Sequence, residues 1–259
     1  MRLLKIYGND TGKYNYLVNY GVWQHIPGEA TSIANVASLD YDIILLPQYK
    51  ALQGYRDEFK RIKTSKAIKV LFDNDSCKRS FSDGFYKDID YIFYRDKDRN
   101  GQTPKSGSFL RWSVCTTTFR PKYGGEGVFF GCKAGKRYPL REQISEFITP
   151  KKLTGVKYAE AIRNSAAAIH TDNPTVPAVR HKVLEFAASG TQIISNRTKN
   201  MDLYFSDKNI TYFESIDHLK DIIANFKANE KIQKKLWRAA KKHSNQVRAK
   251  EVMEILKGL

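Results

Sequence analysis

Apolar residues come along this chain in short runs of strand length, set apart by stretches in which they recur every three or four positions. LLKIYG, YDIILLPQ, IKVLFDND and IDYIFYRD are the first four runs. Each is short and rich in β-branched or aromatic residues, so each reads as a parallel strand buried on both faces. FLRWSV reads as a further strand. After it, TTTFRPKYGGEG crowds a proline and glycines into a break. The pattern then restarts, with GVFFG as a strand, a glycine-containing basic loop, and helices over YPLREQISEF and LTGVKYAEAIRNS. AAAIH, TQIIS and NITYF read as short strands. Ser215 is placed to cap a helix with Asp217 in its first turn, and the closing amphipathic helices fold back across both domains. Two consecutive α/β units predict an α/β fold of two Rossmann-like domains facing across a cleft, residues 1–120 and 121–259, divided near Pro121.

The most informative stretch is VPAVRHKVLEFAASGTQIIS, Val176 to Ser195. Pro177 suits the first turn of a helix, Gly190 can take the left-handed conformation that ends one, and TQIIS follows as a strand. Val179, Val183, Leu184, Phe186, Ala187 and Ala188 make that helix apolar around most of its circumference, so it should be buried. At about 100° per residue, His181, Glu185 and Ser189 share a narrow stripe with Lys182 at its edge, and Arg180 lies about opposite near the helix start. Charges on a buried helix are costly without partners. A phosphate at the helix start, near Arg180 and Lys182, would supply one, with Glu185 accepting hydroxyl hydrogen bonds further along. An internal salt bridge from Lys182 to Glu185 satisfies the same residues equally well.

In open parallel sheets ligands bind outside the carboxyl ends of the strands. The residues there are Gly8-Asn9-Asp10, Gln48, Asp73-Asn74-Asp75 and Arg95-Asp96, and Gly8 would let the first loop approach a ligand closely. GNDTGK resembles a nucleotide-triphosphate loop only superficially. Three residues separate Gly8 from Gly12, and Tyr14 stands where a magnesium-binding serine or threonine is required. His25 is the only histidine of this half, and a lone histidine is more often structural than catalytic. In the second half Lys133, Lys136, Arg137 and Arg141 lie on or just beyond the basic loop, either as a second wall for a diphosphate or as an ordinary basic surface.

Charge changes the picture more than length does. The chain has 259 residues, enough for two domains, and a net charge of +17. That excess permits a polyanionic partner and attracts a phosphorylated substrate. Much of it lies between Lys227 and Lys257, where a solvated basic face is the simple reading. No apolar run approaches the ~20 residues needed to cross a bilayer, which points to a cytoplasmic protein of a bacterial or virus-infected cell. Cys77, Cys115 and Cys132 lack metal-ligand or CxxC spacing and read as core thiols in a reducing compartment.

YPLR, LTGVKYAEAIRNS, VRHKVLEFAASGTQIIS, MDLYF and ITYFESIDHL, with His243 and Arg248 after them, resemble in order the donor-binding domain of group 1 type glycosyltransferases. The spore-maturation glycosyltransferase-like branch is the most similar. The resemblance covers residues 127 to 256, and R-x-K-x-x-E-x-x-A-x-G before a strand is its most specific part. It implies the GT-B arrangement, in which two Rossmann-like domains enclose a nucleotide-sugar and the last helix crosses back to the first domain. It implies further that Arg180 and Lys182 contact the donor diphosphate and that Glu185 accepts from the ribose hydroxyls. The loop Thr171 to Pro177, with His170 and Asp172, lies beside the sugar in this reading; Lys133 and Gly8 complete the donor contacts. The retaining branch carries a second glutamate where this chain has Pro177, so the stereochemistry stays open.

The implied reaction moves a hexose or pentose from a nucleotide-diphosphate sugar to an acceptor hydroxyl. Arginine, lysine and a helix start can neutralise the leaving diphosphate without a metal. An inverting enzyme needs a general base on the first domain, and the candidates are Asp73 and Asp75, then Asp10 and His25. The acceptor is open between a modified base in DNA, as for phage-type DNA glycosyltransferases, and a glycan, lipid or protein. A non-catalytic Rossmann-like nucleic-acid-binding protein is the competing class.

Overall fold

The computed structural model describes the chain except residues 8–17, 48–51, 53–54, 74–79, 96, 98, 132–137 and 172–180, and the side chains of 18–20. The described strands are β1 (Leu3–Tyr7), β2 (Glu29–Ser32), β3 (Ile43–Leu46), β4 (Ile68–Asp73), β5 (Tyr91–Tyr94), β6 (Gly107–Phe109), β7 (Val128–Phe129), β8 (Ala167–His170), β9 (Gln192–Ser195) and β10 (Ile210–Tyr212). The α-helices are α1 (Val18–Trp23), α2 (Arg56–Lys63), α3 (Pro139–Ser145), α4 (Gly155–Arg163), α5 (His181–Ala188), α6 (Ile216–Ala224), α7 (Glu230–Lys241) and α8 (Asn245–Lys257). They fall into two units, Met1–Arg111 with Gln246–Leu259, and Trp112–Asn245. The chain therefore changes unit ahead of Pro121, and the last helix returns to the first unit, as the resemblance implied.

In the first unit six parallel strands lie in the order β2-β1-β3-β4-β5-β6. The order reverses at β1, so the topological switch point lies between β1 and β3. Side chains alternate across the pleat. Leu3, Leu45, Val70, Phe72 and Phe93 pack with Trp23 and with Ala249, Val252 and Leu256 of α8. Leu4, Ile6, Ile44, Leu71 and Ile92 pack on the other face against Phe59 and Ile62 of α2. Covering both faces explains why these strands read as continuous apolar runs. Each large side chain so buried contributes about 1.5–3 kcal/mol.

Two lysines interrupt those runs and are buried all the same. Lys5 Nζ donates to Ile26 O at 2.7 Å, and Lys69 Nζ donates to Ala67 O at 2.9 Å with Asp90 at 3.0 Å. Their stems pack in the sheet while their heads meet carbonyl and carboxylate oxygens at its rim.

β2, sequence EATS, is a mostly polar edge strand that apolar patterning does not reveal. FLRWSV also differs from expectation, since β6 begins at Gly107 and takes only Phe109 from that run. A Cβ at Gly107 would sit 2.3 Å from Ile92 O, so only glycine fits this close strand pairing. Beyond it Trp112 N donates to Tyr204 Oη at 3.0 Å, and Val114 forms an isolated parallel bridge with Ser244.

The second unit holds a parallel sheet in the order β10-β9-β8-β7. Phe130, Ile144, Ala167, Ile169, Ile194, Phe213 and Leu219 form a core on it. Ser215 caps α6 as expected, its side chain accepting from His218 N.

Candidate functional site

α5 is fixed by its C-terminal end. Gly190 has φ +73°, Gly190 N donates to Ala187 O and Thr191 N to Phe186 O, which together make the Schellman closure of a helix. A Cβ at Gly190 would lie 3.1 Å from the Tyr123 ring, so the turn is also closely packed. Thr191 then leads into β9, and α5 is held between sheet and turn.

Val183, Leu184, Phe186, Ala187 and Ala188 of α5 are buried. Its polar side chains leave the helix in two directions. Glu185 is 13% exposed, and its Oε2 accepts from Tyr158 Oη of α4 at 3.1 Å. His181 Nε2 lies 3.9 Å from Glu185 Oε1, and the imidazole packs on Trp112 with centroids 5.6 Å apart. Lys182 turns the other way. Its Nζ donates to Gly131 O at 3.3 Å and stands 6.0 Å from the Tyr158 ring. Among the described residues Lys182 and Glu185 form no ion pair with each other, so the internal salt bridge weighed from sequence is not formed.

Tyr158 is the residue that sequence reasoning missed here. It stands between Phe129 and Phe119, with centroids at 5.7 and 6.1 Å, and these neighbours aim its hydroxyl at Glu185. Nothing in the spacing of α4 and α5 announces a bond over 27 positions. Gly131 is a second, its carbonyl receiving Lys182 at the end of β7.

His170 and Thr171, at the carboxyl end of β8, are buried. Arg141 of α3 reaches Thr171: its Nε donates to Thr171 Oγ1 at 2.8 Å and its Nη2 to Thr171 O at 3.2 Å, while its guanidinium stacks on Tyr138 at 3.8 Å. Arg141 thus anchors the chain leaving β8, a structural use that its place near a basic loop did not reveal. Gly8, Asp10, Asp75, Lys133, Asp172 and Arg180 lie outside the described residues, as do Lys136, Arg137, Cys77 and Cys132. Cys115 is half-buried and free.

In the first unit Asp73 ends β4, fully buried, and its Oδ2 accepts from Tyr86 Oη at 2.5 Å. Tyr86 also lines a cavity of about 670 Å³ whose walls include Ser80, Phe81, Lys87, Asn100 and Lys105. Asp73 is therefore one hydroxyl away from that cavity rather than open to it. His25 is exposed in the turn after α1, where its N–H donates to Val22 O.

Chemically, α5 presents a carboxylate with spare acceptor capacity and an ammonium held by one carbonyl. Such a pair can take hydroxyls and an anion side by side. Among the described residues no cluster of His, Cys, Asp or Glu is arranged for a metal, and no described helix is long and apolar enough to cross a membrane.

Residues 126–254 match the family model described as glycosyl transferase-like. Comparison with curated protein sequences gives no match. Among solved structures, Anabaena Alr3699/HepE in complex with UDP and glucose superposes with a TM-score of 0.67 at 10% identity over 100% of both chains. Phage T4 β-glucosyltransferase gives 0.64 at 12% identity, over 100% of this chain and 99% of that one. The trehalose-6-phosphate synthase OtsA gives 0.60 at 10% identity, over 88% and 74%. At such identities the shared property is the fold.

Proposed function

Residues 126–254 place this chain in the glycosyl transferase-like family and its fold is that of the GT-B glycosyltransferases, and on that premise we propose that it transfers a hexose from a uridine-diphosphate sugar to an acceptor hydroxyl. The observation that carries the reading is the divergence of Lys182 and Glu185 on a mostly buried helix. Each keeps capacity that a nucleoside diphosphate matches, the ammonium toward phosphate oxygens and the carboxylate toward ribose hydroxyls. Arg180, one position before α5 in sequence, is assigned as a second cation for the phosphates. Uridine and hexose are assigned because HepE was crystallised with UDP-glucose.

The leaving diphosphate gains charge as the glycosidic bond breaks, and Arg180 and Lys182 oppose it where it develops. His170 and Asp172, leaving β8, are assigned to the sugar side; Lys133 and Gly8 are assigned to the phosphates. With Pro177 standing where a retaining enzyme carries its glutamate the stereochemistry stays open, and for an inverting course Asp10 is assigned as the general base. In sequence Asp10 comes three positions after β1, whose pairing with β3 marks the switch point of the first sheet, and it is preferred to Asp75, which follows β4 in sequence, and to exposed His25. Asp73, which accepts from Tyr86 in a buried site, is assigned to hold that tyrosine.

The test is a thermal-shift screen of uridine, guanosine, thymidine and cytidine diphosphate sugars. At a hundredfold excess over its dissociation constant the true donor adds about 2.7 kcal/mol of stability. Uridine diphosphate glucose is expected to do so, Arg180→Ala with Glu185→Ala to abolish it, and turnover to persist in EDTA. No stabilisation by any of the four sugars overturns the reading. Asp10→Asn should lower kcat by about 10²–10⁴ with donor affinity unchanged, whereas an unchanged kcat removes Asp10 as the base.

A further inference from the structure

We propose that the exposed face of α7 is a docking surface for the backbone of duplex DNA. The inference deepens the reading above by naming the molecule that carries the acceptor hydroxyl, and it rests on that reading for sugar transfer but not for binding.

Over Glu230 to Lys242 the only acidic residue is Glu230, against Lys231, Lys234, Lys235, Arg238, Lys241 and Lys242. At about 100° per residue these six cations fall within about 120° of the helix circumference. All are exposed, while Gln233, Leu236 and Ala240 of the same helix are buried. Lys234 pairs with Glu230 at 2.5 Å and Lys241 lies over the Trp237 ring at 4.7 Å. Lys231, Lys235, Arg238 and Lys242 have no acidic partner among the described residues. They form a straight row of unneutralised charge about 16 Å long, with steps of about 4.5–6 Å along the axis.

Such a row costs self-repulsion and adds no packing, since the side of the helix that packs is the opposite one. A duplex carries one negative charge per about 1.7 Å of its axis, the densest match for a rigid row of cations. A membrane surface fits less well. Membrane-binding amphipathic helices bury an apolar face in lipid, and the apolar side of α7 is already turned into the second unit. The surface also differs chemically from the α5 site, which offers a carboxylate beside its cation.

The test is fluorescence anisotropy of the whole protein with a labelled 24-base-pair duplex, titrated between 50 and 200 mM salt. Four phosphate contacts give a slope of about −3.6 in log K against log salt, roughly a hundredfold loss of affinity over that range. In the variant Lys231→Gln, Lys235→Gln, Arg238→Gln, Lys242→Gln the slope should flatten by about that amount, with far-UV circular dichroism and the UDP thermal shift unchanged. The variant Lys66→Gln, Lys87→Gln, Lys97→Gln, Lys105→Gln removes the same charge from exposed sites of the first unit and should bind nearly as the parent does. The proposal is overturned if both variants weaken binding equally, if the α7 variant binds like the parent, if a single strand binds as tightly as the duplex, or if phosphatidylserine vesicles retain the protein when the duplex does not. A donor shift without duplex binding rejects the docking surface and leaves the transferase reading standing; duplex binding without any donor shift does the reverse.

Discussion

At the scale of single residues the site turns on Glu185 and its neighbour Tyr158. A carboxylate that accepts one neutral hydroxyl and stays 13% exposed keeps lone pairs for a ligand. Glu185→Gln keeps shape and removes charge, and should raise the dissociation constant for uridine diphosphate by about tenfold to a hundredfold, the value of one charged hydrogen bond. Tyr158→Phe leaves the charge and loses only its orienting partner, so calorimetry should show a smaller loss, about fivefold. A larger effect from Tyr158→Phe than from Glu185→Gln would reverse those roles. Gly190 can be tested for stability alone. An alanine there meets a left-handed backbone angle and the Tyr123 ring together. Gly190→Ala should cost about 1–2 kcal/mol or more, read as a lower urea midpoint at unchanged slope.

At the scale of elements, the physics that made a segment legible was the physics that placed it. The strands around Leu45, Val70 and Ile194 are covered on both faces, so their runs are apolar throughout and could be read directly. α5 was legible for a different reason, because Gly190 marks its end through a conformation that other residues resist. β2 was not, since an edge strand of EATS buries little and is held by backbone bonds to β1 that leave no imprint on side-chain type. β6 was displaced because its pairing depends on the absence of a side chain at Gly107. Of the site, Lys182 and Glu185 were visible as charges on an apolar helix. Their true partners, Gly131 O and Tyr158 Oη, come from other elements and depend on the folded arrangement. Arg141 was visible as a cation, but its bonds to Thr171 were not.

At the scale of the whole molecule, α8 is the element that binds distant sequence to the first unit. Ala249, Val252 and Leu256 fill one face of the sheet built from residues 3 to 109. Leu256→Ala should therefore cost about 2–5 kcal/mol in a unit it follows by well over a hundred residues. Chemical denaturation monitored at Trp23, which shares that cluster, would report it. An unchanged midpoint would mean that the helix covers the sheet without stabilising it.

Residues 112–245, by contrast, form one uninterrupted block. During translation that block is complete before α8 exists, whereas the earlier-made segment waits with an uncovered apolar face until α8 has been made. The fragment 1–111 expressed by itself should consequently aggregate, and fusing residues 246–259 to it through a flexible tether should restore solubility.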